Sequence, residues 1–75
     1  MNSGHDETAE LEGAELIEVL QQSLDKENDL LRTYVMTAER IHDDAELKER
    51  LHNFAEGNAK RSKQLIDVIA GLQEK

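Results

Sequence analysis

Glu27 and two Glu-x-x-His pairs, Glu39-Arg-Ile-His42 and Glu49-Arg-Leu-His52, have the clearest capacity for chemistry in this 75-residue chain. Residues three apart share a helix face, so each pair can offer a carboxylate and an imidazole to one cation. The same spacing arises readily by chance in a chain with 17 Asp and Glu residues. Glu39, Glu49 and His52 also fall off the apolar stripes described below, and His42 sits at the edge of one. These are therefore weak metal ligands. No Cys is present as a nucleophile or zinc ligand, no Gly-rich loop can cradle a phosphate, and no Ser–His–acid set is suggested by the spacing. His5 stands alone in a polar segment and is expected to be a bystander. No cofactor is expected.

The elements that must hold these residues are visible in the apolar spacing. Leu20, Leu24, Glu27, Leu31, Tyr34, Ala38 and Ile41 recur at alternating steps of four and three, one stripe of an amphipathic helix. Leu16, Val19, Leu30 and Val35 widen it. A second stripe runs through Leu47, Leu51, Phe54, Asn58, Arg61, Leu65, Val68 and Leu72, flanked by Ala55, Ile66 and Ile69. Between them, Asp43 or Asp44 can cap a new helix, and Asp43 with Glu46 resembles a capping box. Gly71 is a plausible stop. The expected architecture is all-α: an antiparallel two-helix hairpin with helices over about 14–42 and 44–71. Residues 1–13, which include two glycines, are expected to form a mobile acidic segment, with the helix starting near Thr8 or after Gly13.

A hairpin turning near residue 43 or 44 pairs Ile41 with Leu47, Ala38 with Leu51, Tyr34 with Phe54, Leu24 with Leu65 and Leu20 with Val68. One layer breaks the apolar series. Glu27 falls opposite Arg61, with Asn58 and Ser62 a turn or less away, inside the stretch FAEGNAKRS (54–62). A carboxylate on a packing stripe needs a cation, a metal or hydrogen bonds, because an unpaired buried charge is costly. Arg61 is the available cation, which makes Glu27, Asn58, Arg61 and Ser62 a polar layer suited to fixing register and oligomer choice. Ser23 and Ser62 are expected to permit close helix approach, Tyr34 and Phe54 to be core, and Met36 to fill a surface or interface gap.

Bulk properties exclude other classes. With 37% hydrophobic residues, one Tyr, one Phe, no Trp and no Cys, the core must be aliphatic and without disulfide staples. The net charge of −8 is concentrated at the start, where residues 1–18 carry six acids and no Lys or Arg. The remaining 11 acids nearly balance nine bases, and Lys60, Arg61 and Lys63 form the only local basic cluster. Nucleic acid is not an expected partner, since its binding requires a basic surface. No apolar run approaches the ~20 residues of a membrane span, and the acidic start is unlike a secretory signal. A cytoplasmic protein is expected. Two helices alone leave the far side of each stripe uncovered, so two hairpins are expected to pair as a homodimeric four-helix bundle.

The same residues resemble the rubrerythrin-type, ferritin-like superfamily over roughly residues 16–70. Its helix pair carries a ligand Glu about two turns before a Tyr, then a "DPELK"-like turn and an "A-E-x-E-K-x-H" segment. Here Glu27 precedes Tyr34 by seven residues, DDAELKERLHNFAE (43–56) matches the turn and the start of the second helix, and AKRS (59–62) takes the Glu-x-x-His slot. In that alignment Ala59 replaces a ligand Glu and Ser62 a ligand His. Glu27 is then the sole surviving ligand, too few for a di-iron centre, and the family's oxidase, peroxidase and storage activities do not carry over.

The resulting expectation is a non-enzymatic helical hairpin serving as a structural or protein-interaction module. The alternative is an iron- or zinc-binding protein or oxidoreductase that brings Glu27 from two protomers together with ligands such as His52. A third reading is an adaptor whose acidic head docks on an unidentified basic protein partner.

Overall fold

The computed structural model describes residues 13–74. They form two helices, α1 (Gly13–Glu39) and α2 (Ala45–Gln73), and no strand occurs among the described residues. The chain is an all-α hairpin, as its two stripes require. The acidic segment expected over 1–13 lies outside the described residues except for Gly13, which begins the described part of α1; His5 lies outside them as well. No helix is long and apolar enough to cross a membrane among the described residues.

The connection is short and built without a left-handed residue. Arg40 donates its backbone N–H to the carbonyl of Thr37 at 3.0 Å, and Ile41 to that of Ala38 at 3.1 Å. Such bonds to the third residue back tighten a final helical turn. They end α1 at Glu39, three residues before the expected limit, and leave His42 in the turn. The Leu47 N–H then donates to Asp44 Oδ1 at 3.0 Å, making Asp44 the N-cap of α2. Asp43 does not cap, contrary to the capping-box reading. With Asp44 as cap, Glu46 stands at the second helical position and Leu47 at the third, so no acid occupies the reciprocal place.

At the other end α2 passes through Gly71 and reaches Gln73, with the Glu74 N–H donating to Ala70 O at 3.2 Å. A glycine stops a helix by adopting the left-handed conformation, and none of the described glycines does. Gly71 is an ordinary helical residue.

The helices meet along a seam that keeps the expected register but is rotated on α2. Its buried positions are Ala38 on α1 and Ala55, Asn58, Ser62 and Ile69 on α2. Leu51, Leu65 and Leu72 are half-buried beside them. By contrast Leu47, Phe54 and Val68, expected to face α1, remain 43%, 49% and 50% exposed. Of the residues expected on the flank, Ala55 and Ile69 pack in the seam, whereas Ile66 stays 53% exposed. Small side chains at Ala38, Ala55 and Ser62 allow the backbones to approach, and bulkier neighbours cannot enter the same gap and settle on its rim. Tyr34 and Phe54 still meet, edge to face, with ring centres 5.4 Å apart. Their contact lies at the open rim of the seam and not within a closed layer.

Candidate functional site

The polar layer lies across the middle of the hairpin. Helical spacing puts Asn58 and Arg61 of α2 on the side that faces Glu27 of α1. Asn58 Nδ2 donates to Glu27 Oε1 at 2.6 Å, and Arg61 Nε donates to Glu27 Oε2 at 3.0 Å. Both carboxylate oxygens are therefore engaged within one chain. One turn along, Ser62 Oγ donates to Asn28 Oδ1 at 3.0 Å. Ser62 is thus more than a small spacer: it supplies a third cross-helix hydrogen bond.

These groups differ sharply in burial. Asn58 is 1% exposed. The Glu27 side chain is 20% exposed and that of Arg61 56%. The Asn58 amide must turn its NH2 toward the carboxylate, because only that end donates. Its Oδ1 is consequently buried without a donor. The Asn58 hydrogen bond first, then the one from Arg61, holds the Glu27 carboxyl below the ordinary glutamate range; partial burial opposes this, and the Arg61 charge adds to it.

Gly57 explains how Arg61 reaches its partner. Side chains on a helix lean toward its N-terminus, so a residue four positions on lies over its predecessor. A Cβ added at Gly57 would sit 3.4 Å from an Arg61 terminal nitrogen. The missing side chain leaves room for the guanidinium to lie along the helix and cross to Glu27. A groove of about 320 Å³ opens beside this arrangement, lined by Leu30, Tyr34, Asn53, Phe54, Gly57, Asn58 and Arg61.

The weaker metal candidates are scattered. Glu39 is the last residue of α1 and His42 lies in the turn, so this pair does not occupy one continuous helix. Glu49 and His52 do share α2 and are exposed on its outer side. The described residues contain no group of three or more His, Cys, Asp or Glu side chains placed to hold a metal ion. Ala59 is exposed while Ser62 is buried. Lys60 and Lys63 are exposed, and Arg61 turns to Glu27, so the basic cluster divides. Met36 is 61% exposed, on a shallow surface with Thr33, Thr37 and Arg40.

Sequence reasoning missed Asn28 and Gly57. Asn28 lies within a turn of the α1 level that the hairpin register sets opposite Ser62, and its polar side chain was the signal available. Gly57 offered only the signal of a glycine inside a helix, where it costs stability unless a neighbour needs the space. Compared with protein-family models, curated proteins and solved structures, the chain matches none.

Proposed function

We propose that this chain is a non-enzymatic, ferritin-like helical hairpin that pairs with itself and acts as a structural or protein-interaction module. The observation that carries this reading is the distribution of uncovered apolar side chains. Val19, Leu30, Leu47, Phe54 and Val68 are each 43–50% exposed. Val19 and Leu30 lie three turns apart on α1, and the other three recur at multiples of seven on α2, so each set shares one side of its helix, while the exposed Met36 and Ile66 lie on other sides. Leu30 and Phe54 line the same groove, which joins the two sets into one face. An apolar face of this kind, interrupted in the groove by Asn53 and Arg61, supports an association surface.

The polar layer supports the same role. In this reading Arg61 supplies the positive charge that a metal ion would supply in a ferritin-like site, and Glu27 is satisfied by its own chain. Polar groups at a helix seam select register and partner number at some cost in stability. Light scattering across the low-micromolar range tests the pairing, with a helical dimer expected. Calorimetric titration with ferrous iron or zinc tests the non-metal role: weak or non-stoichiometric heats are expected. Tight stoichiometric binding abolished by Glu27→Gln would overturn it.

A further inference from the structure

Beyond face-to-face pairing, and without depending on it, we propose that the connection over residues 40–44 is a hinge at which two copies can exchange α2, with Asp44 as the latch that holds it shut. In the exchanged form each chain is one continuous helix, and α2 of one copy packs on α1 of the other.

The connection is free to become helical. It reads Arg-Ile-His-Asp-Asp, with neither proline nor glycine, and no residue of it has a positive φ. Arg40 and Ile41 already donate to Thr37 and Ala38 as a tightened continuation of α1.

The two helices also share one phase across this connection. Every seventh residue from Leu20, through Glu27 and Tyr34 to Ile41, lies half-buried on the packing side of α1. The same count carried through the turn reaches Lys48, which is half-buried, and then Ala55, Ser62 and Ile69, all buried in the seam. A hairpin does not require this agreement, because its turn can set α2 at any rotation. A continuous helix does require it, since both halves must then present their packing sides in one direction. Two such helices, antiparallel about a twofold axis at the level of Asp44, restore every level of the seam. Glu27 of one copy accepts from Asn58 and Arg61 of the other, in the geometry found within one chain. Exchange of an identical element between copies is a short route to a dimer when the hinge allows it.

Asp44 opposes the opening twice. Its carboxylate caps α2 by accepting from the Leu47 N–H, and that role disappears inside a continuous helix. It also stands seven residues before the half-buried Leu51. A continuous helix therefore turns it toward the seam at the axis, against its own mate on the second copy, where like charges repel.

Distances within one chain test this. Because the chain has no cysteine, nitroxides can be placed together at Gln21→Cys and Lys63→Cys, both exposed sites. The labelled chain is refolded from urea with a large excess of unlabelled chain at about 1 mM, on the order of the effective concentration across a short connection. A closed hairpin, paired face to face or not, keeps the two labels about 10–25 Å apart. A continuous helix separates them by about 60 Å. The unmodified chain should show the long distance as a minor fraction. Asp44→Ala in labelled and unlabelled chains alike should favour exchange about fivefold per chain for the lost cap, hence about 25-fold per dimer. The long distance should then dominate, in a helical particle of twice the chain mass. A long-distance fraction no greater in Asp44→Ala than in the unmodified chain, including none in either, would overturn the hinge. It would leave self-pairing untouched, because closed hairpins give the short distance whether or not they pair.

Discussion

Replacing Ile69 by Ala and, separately, Ile66 by Ala makes the same chemical change at two sites about one turn apart. Ile69 is 6% exposed in the seam, whereas Ile66 is 53% exposed. Each substitution removes three carbons, worth about 0.8 kcal/mol apiece when fully buried. Scaled by burial, the transfer loss is about 2.3 kcal/mol at Ile69 and about 1.1 kcal/mol at Ile66. Alanine returns about 0.4 kcal/mol of helix propensity at both sites, so that gain cancels in the comparison. A cavity contribution adds to the Ile69 loss, since its neighbours are held by two helices and relax only partly. The expected losses are about 2–3 kcal/mol for Ile69→Ala and about 0.5–1 kcal/mol for Ile66→Ala. Urea denaturation followed by circular dichroism, at one protein concentration for all variants, measures both. Losses equal to within about 0.5 kcal/mol would refute the rotated seam. They would restore the wider stripe, in which either edge of α2 can pack.

Other perturbations address the site and the turn. Gly57→Ala puts a methyl group in ordinary contact with Arg61 and should raise stability by about 0.5–1 kcal/mol through helix propensity, whereas Gly57→Leu should lower it by displacing the guanidinium; thermal melts at matched concentration compare them. Asp44→Ala removes the cap on Leu47 and should cost about 1 kcal/mol by chemical denaturation, with Asp43→Ala close to neutral. Glu27 has its folded pKa held below the ordinary value near 4.5. The stability it contributes is therefore complete above that value and is lost as pH falls through the lowered one. Carboxyl NMR should place its titration below the ordinary glutamate value, and Glu27→Gln should flatten the stability profile in that acidic window.

The register of the hairpin was readable from spacing alone, because alternating steps of four and three fix which residues share a level once the turn is located. Glu27 meets Arg61 and Tyr34 meets Phe54 as that rule requires. The rotation of α2 was not readable in the same way. A wide apolar stripe defines a face more than 100° across, and periodicity does not say which edge of it packs. Ala55 and Ser62 decided the matter by their small size, a property that counts only when two backbones approach. The end of α1 depended on two hydrogen bonds within Thr37–Ile41, and neither bond has a residue-type signature. In FAEGNAKRS the polar interruption was legible, but its division of labour was not. Asn58 and Arg61 hold Glu27, Ser62 holds Asn28, and Gly57 clears the path for Arg61.

The most direct test of the account is sedimentation equilibrium of the unmodified chain over the low-micromolar range, with helicity monitored on the same samples. The account predicts a helical particle of twice the chain mass, since the face carrying Leu30, Phe54 and Val68 is covered by a second copy. A fully helical particle of single-chain mass throughout that range would contradict it.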